Sequence, residues 1–86
     1  MTAWTWDYDP SAEYVTSGLP PGVLAEVERL ATELAALGRD AAKVGLPDHK
    51  EGGLRELDIL GGYGLVGFLV VARDSCVYVV NVTWTG

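Results

Sequence analysis

Positive charge is scarce in this sequence. Six Lys and Arg residues stand against twelve Asp and Glu, for a formal net charge of −6. Phosphate backbones are recognised through clustered Lys and Arg, so the shortage disfavours nucleic-acid binding by the chain alone. Cysteine occurs once, as Cys76. That excludes an internal disulfide and makes a cytoplasmic setting the natural default. One cysteine and one histidine, His49, do not make a zinc site, and neither a metal nor a cofactor is expected. The longest apolar run, at 65–72, is far too short to span a bilayer. The opening "MTAWTWDYDP" has no basic n-region and no apolar h-region, so it does not read as a signal peptide. A soluble, intracellular protein is expected.

What is present fits a globular chain. Apolar residues make up 49% and charged residues 21% of 86 positions, which argues against disorder and for one domain over 1–86. A domain of this size buries only about 60–65% of its unfolded surface, so a partner would add stability. The acids are unevenly spread. Residues 1–38 hold Asp7, Asp9, Glu13, Glu26, Glu28 and Glu33 against Arg29 alone, while residues 39–86 hold Arg39, Lys43, Lys50, Arg55 and Arg73. An acidic face suits a basic protein partner, and a merely solvated surface reads the same way.

Trp4, Trp6 and Tyr8 alternate with Thr5 and Asp7, the period of a strand with one buried face. Without interleaved Arg or Lys, these rings read as core packing rather than as a base-stacking platform. "SAEYVTSG" predicts about two turns of helix capped by Asp9 or Ser11. After Pro20-Pro21, the positions Val23, Val27, Leu30, Leu34, Leu37, Ala41 and Val44 recur at spacings of four and three. That is one apolar helical stripe covering a sheet. Gly38 would weaken or kink such a helix, yet the phase continues, so the reading extends it to Gly45 with Pro47 as the stop. "LPDHKEGG" reads as a polar loop in which His49 is a spectator, because a loop base needs an orienting partner and a reacting group.

Three strands follow. "LRELDIL" sets Leu54, Glu56 and Asp58 on one side and Arg55, Leu57 and Ile59 on the other. Gly61-Gly62 makes a hairpin turn, since glycine adopts positive φ at little cost. "YGLVGFLVVA" and "CVYVVNVTW", joined at Arg73-Asp74-Ser75, are apolar on both sides and read as central strands. Cys76 fits there as a small core hydrophobe. The fold class is α+β: about four antiparallel strands in the order β-α-α-β-β-β, the first added at a sheet edge, with one short and one long helix on one face.

The aromatic first strand, "LPPGVLAEVERLATEL", "GGLRELDILGGYGLVGFLV" and "VYVVNVTW" resemble, in that order, the RelE/ParE superfamily of toxin–antitoxin modules. The likeness spans nearly the whole chain and is most specific at the Gly-Leu-Arg-Glu-Leu strand start and the Tyr63 turn. It implies the toxin half of a two-gene module, wrapped by a cognate antitoxin. RelE-type members cut messenger RNA on the ribosome; ParE-type members inhibit gyrase without nuclease chemistry.

Matched position by position, the second-strand basic sites of RelE-type toxins fall at Glu56 and Asp58, and the arginine after the turn tyrosine falls on Gly64. Arg55 and Arg73 are the cations left in the ribbon. The resemblance also implies an arginine, often with a Tyr or His, after the last strand, where this sequence reads Trp84-Thr85-Gly86. Phosphoryl transition states are stabilised by positioned cations and donors, and each one lost costs about 10²–10³ in rate. The expectation is therefore a toxin-like, antitoxin-binding chain without efficient ribonuclease activity. The alternatives are a gyrase inhibitor, or a homodimeric interaction module without a toxin role.

Overall fold

Alternation, a capped turn and a proline-led helix build the first half of the fold. The structure, a computed structural model, describes residues 3–47 and 53–85. Strand β1 (Thr5–Tyr8) keeps Trp6 and Tyr8 half-buried with Thr5 and Asp7 exposed, as the period of two requires. Helix α1 (Ala12–Thr16) is started by Ser11, whose Oγ accepts the Tyr14 N–H at 3.1 Å. Helix α2 (Pro21–Leu37) opens on proline, which needs no amide partner in the first turn. It buries Val23, Val27, Leu30, Ala31, Leu34 and Ala35.

The α-helix stops at Leu37 rather than continuing to Gly45. Gly38 takes φ 59° and ψ −129°, and a 3₁₀ segment runs from Gly38 to Lys43. The Trp4 ring lies against Gly38, at 3.3 Å from where a Cβ would stand. The break also shifts the apolar stripe: Ala41 is fully buried, whereas Leu37, expected on the sheet, is 48% exposed. The stripe thus continues across a change of helix type that its spacing does not reveal.

Among the described residues the sheet has five strands, not four, and is mixed. Leu46–Pro47, expected in a loop, forms β2 along the edge of β3 (Leu54–Ile59). Gly45 turns the chain there at φ 75°, where a Cβ would strike the Glu56 carbonyl oxygen. Strands β4 (Gly64–Val71) and β5 (Cys76–Trp84) complete the order β1-β5-β4-β3-β2. The expected central place of β4 and β5 holds, and so does the edge place of β1, which runs parallel to β5. The turn before β4 is longer than a glycine pair, running from Leu60 to Tyr63, with Leu60, Gly61 and Gly62 all at positive φ.

Val66 and Phe68 of β4 and Val77 and Val79 of β5 are fully buried against Val27, Ala31 and Leu34. Alternation places Arg55, Leu57 and Ile59 on that same helix-covered face, and Glu56 and Asp58 on the other. Val80 is an extra residue in β5, because Phe68 pairs with Val79 while Gly67 pairs with Asn81. The architecture is α+β. No helix among the described residues is long and apolar enough to cross a membrane.

Candidate functional site

The β3–β4 ribbon is where the resemblance locates chemistry, and each matched position has a definite role in the fold. Arg55 leaves β3 on the helix-covered face and is partly buried. Its Nε donates to the Val44 carbonyl at 2.6 Å and its Nη2 to the Gly45 carbonyl at 2.8 Å. Two carbonyls at the end of the 3₁₀ segment thereby gain charge-assisted partners. The guanidinium is engaged with the protein's own backbone.

Glu56 is half-buried and Asp58 exposed, both on the face turned away from α2, where Leu54 is buried. With Gly45, Leu46, Leu57 and Leu65 they line a depression of about 200 Å³ at the β2 edge. Its charge is entirely negative. Gly64 is buried with its Cα against the Ile59 side chain, whose Cγ1 lies 2.7 Å from the place a Cβ would occupy. An arginine here would have to displace Ile59 from the core, so the packing itself demands the small residue.

Arg73 sits in the 3₁₀ turn between β4 and β5, exposed, with Nε 3.3 Å from an Asp74 carboxylate oxygen. The Tyr78 hydroxyl donates to the other oxygen at 2.8 Å. That hydrogen bond holds the Asp74 carboxyl below the usual carboxylate range, with a smaller contribution from Arg73. It also pushes the Tyr78 phenol up to about 12. Arg55 is paired with Phe68, and Val71 ends β4 three residues further on. At about 3.3 Å per residue, Arg73 lies roughly 10 Å or more along the ribbon from Arg55. The two remaining ribbon cations do not converge.

Cys76 is buried at the start of β5 and its thiol lies 3.6 Å from the Val77 carbonyl. His49 lies outside the described residues. Among the described residues no group of three or more His, Cys, Asp or Glu side chains is placed to hold a metal ion.

Sequence reasoning missed a second depression, of about 580 Å³, between Trp4 and residues 35–40. It exists because α2 breaks at Gly38 and leaves Leu37 outside the core, a geometry that the unbroken stripe concealed. Arg39 and Asp40 stand on its rim, and Lys43 approaches Asp40 at 3.6 Å.

The chain matches no family model, no curated protein and no solved structure.

Proposed function

We propose that the chain is the toxin-like half of a type II toxin–antitoxin module of RelE/ParE character, cytoplasmic, which binds a cognate antitoxin and has no efficient messenger-RNA cleavage. Support for the layout comes from the α+β architecture, with residues of α1 and α2 in one core and a hairpin ribbon in the second half, although the order is β-α-α-β-β-β-β rather than the expected β-α-α-β-β-β. The observation that carries the loss of nuclease chemistry is the engagement of Arg55 with the Val44 and Gly45 carbonyls. It is the one base in the strand that the resemblance assigns to phosphate binding, and it points away from the face bearing Glu56 and Asp58. A phosphodiester approaching that face would meet two carboxylates and no donor of positive charge from β3.

The protein is thereby left with recognition rather than catalysis. Titration of the purified chain with the small protein encoded beside it tests this reading. A stable complex, with no cleavage of ribosome-bound message by the free chain, is the expected result. Failure to bind that neighbour, or message cleavage close to that of an authentic RelE-type toxin, would overturn it. Inhibition of gyrase supercoiling by the free chain would replace the RelE-type assignment with the ParE-type one.

A further inference from the structure

We infer that the sheet face turned away from α2 is a docking surface for an amphipathic helix of a basic protein partner. The strand registers assign this face. Leu46 stands beside Glu56, Leu65 beside Asp58, Leu69 beside Tyr78, and Tyr78 beside Asp7. The described helices lie on the other side. Val15 of α1, Val27 and Leu34 of α2, and Ala41 of the 3₁₀ segment share one core with Val66 and Phe68.

The composition is that of a covered face. An antiparallel sheet with one wetted side alternates apolar and polar residues along each strand. Strand β4 does not: its positions on this side are Leu65, Gly67, Leu69 and Val71. Leu54 and Cys76, beside Leu69 and Val71, are already buried. Leu65, Leu69 and Val71 are only half-buried, and Leu46 is 74% exposed. Apolar side chains left open together on one face mark an interaction site.

Charge selects the occupant. The apolar strip is flanked by Asp7, Glu56 and Asp58, with Asp74 at its end accepting the Tyr78 hydroxyl. Among the described residues the face carries no Lys or Arg. Arg55 leaves β3 on the opposite side, and Arg73, in the turn at the end, lies against Asp74. This pattern complements an apolar helical stripe flanked by Lys or Arg. The same carboxylates repel nucleic acid and anionic membranes. A second copy fits badly as well, since its net charge is −6 and its α2 bears Glu26, Glu28 and Glu33 against Arg29 alone.

A helix suits the face better than a strand. Strand β4 is paired on both sides, with β3 and with β5, so its backbone offers nothing to an added strand. A helix satisfies its own backbone and brings only side chains. The 8 residues of β4 span about 26 Å, the length of a helix of about 18 residues. On the core side, α2 has 17 residues. The inference holds for any protein partner and does not depend on the toxin-like function proposed above.

An NMR titration of the methyl-labelled chain tests it. The probe is a helical peptide of about 18 residues, with leucine at i, i+3, i+4 and i+7 spacing and lysine elsewhere. The largest shift changes are expected at the Leu46, Leu65 and Leu69 methyls. Binding should weaken at least about tenfold from about 50 mM to about 300 mM salt, and a peptide with glutamate for lysine should not bind. Glu56→Lys with Asp58→Lys should weaken binding at least about tenfold. Glu13→Lys with Glu33→Lys changes the net charge equally and should weaken it no more than about threefold. Should the β3 variant fail to fold, the methyl map on the unaltered chain decides. No binding of the lysine peptide, largest changes on α1 or α2, equal binding of the glutamate peptide, or equal losses in the two charge-matched variants would overturn the inference.

Discussion

Arg55 binds the backbone of Val44 across the β2 edge, with its Nε 2.6 Å from that carbonyl. A residue that the sequence marks as a candidate phosphate ligand is in the structure a clamp between β3 and the end of the 3₁₀ segment. Replacing it with methionine leaves the Val44 and Gly45 carbonyls without their charged donor. Hydrogen bonds from charged groups are each worth about 1.5–3 kcal/mol; Arg55 is only partly buried, so solvent screening reduces the pair to a loss of about 2–4 kcal/mol. Urea unfolding measures it. Lysine at the same place should recover part of the loss, since it reaches one carbonyl but lacks the planar fork.

Gly45 makes the other half of that junction. Its φ of 75° and the nearness of the Glu56 carbonyl both exclude a side chain. Gly45→Ala should destabilise by more than about 1 kcal/mol. Gly18 also has positive φ, 78°, but has nothing within 4 Å of a Cβ. Gly18→Ala is therefore expected to cost less, and comparing the two unfolding midpoints separates steric collision from backbone conformation.

The end of α2 predicts a contrast between two leucines one turn apart. Leu34 is 1% exposed and Leu37 is 48% exposed. Leu34→Ala should cost about 2–5 kcal/mol, and Leu37→Ala no more than about 0.5 kcal/mol. An uninterrupted helix through Gly45 would make both changes costly. The expected stability of a chain this size is about 4–13 kcal/mol, so the Leu34 variant would be readily seen in a denaturant midpoint.

Tyr8 and Glu28 carry a signed dependence on pH. Partial burial, followed by the charge of Glu28 and the 3.2 Å hydrogen bond to it, pushes the Tyr8 phenol up to about 12. Its ordinary value is near 10, so the folded state favours the protonated phenol. Stability from this group is complete below about pH 10 and is lost as pH rises toward about 12. Ring-carbon shifts of Tyr8 should titrate near the upper value. Glu28→Gln should lower the midpoint without restoring it fully, because burial remains.

Much of this fold is legible in the sequence where a single local rule governs it. The alternation of Trp4, Trp6 and Tyr8 marks a half-buried strand, a cap at Asp9 or Ser11 marks the start of α1, where the structure uses Ser11, and the apolar runs of β4 and β5 mark them as central. Misreadings fall where a distant contact decides. Gly38 lies in phase with a helical stripe, and the Trp4 ring packed on it, more than thirty residues away, accompanies the break. Leu46–Pro47 has no strand signal of its own, and becomes a strand because Gly45 lays it along β3. For the candidate site, the sequence identifies the side of β3 that carries Glu56 and Asp58. It does not disclose that Arg55 is occupied, because the Val44 and Gly45 carbonyls are brought to it only by the folded chain.

The central proposal is that this chain binds a protein partner and does not cleave RNA efficiently. The most direct test is primer extension on ribosomes programmed with a defined message, using the purified chain and an authentic RelE-type toxin side by side. Missing cations at two sites, at about 3 kcal/mol each, predict cleavage slower than the control by roughly 10⁴-fold. Cleavage within about tenfold of the control would contradict the claim. It would mean that cations other than Arg55 converge on the message at a place this ribbon does not show.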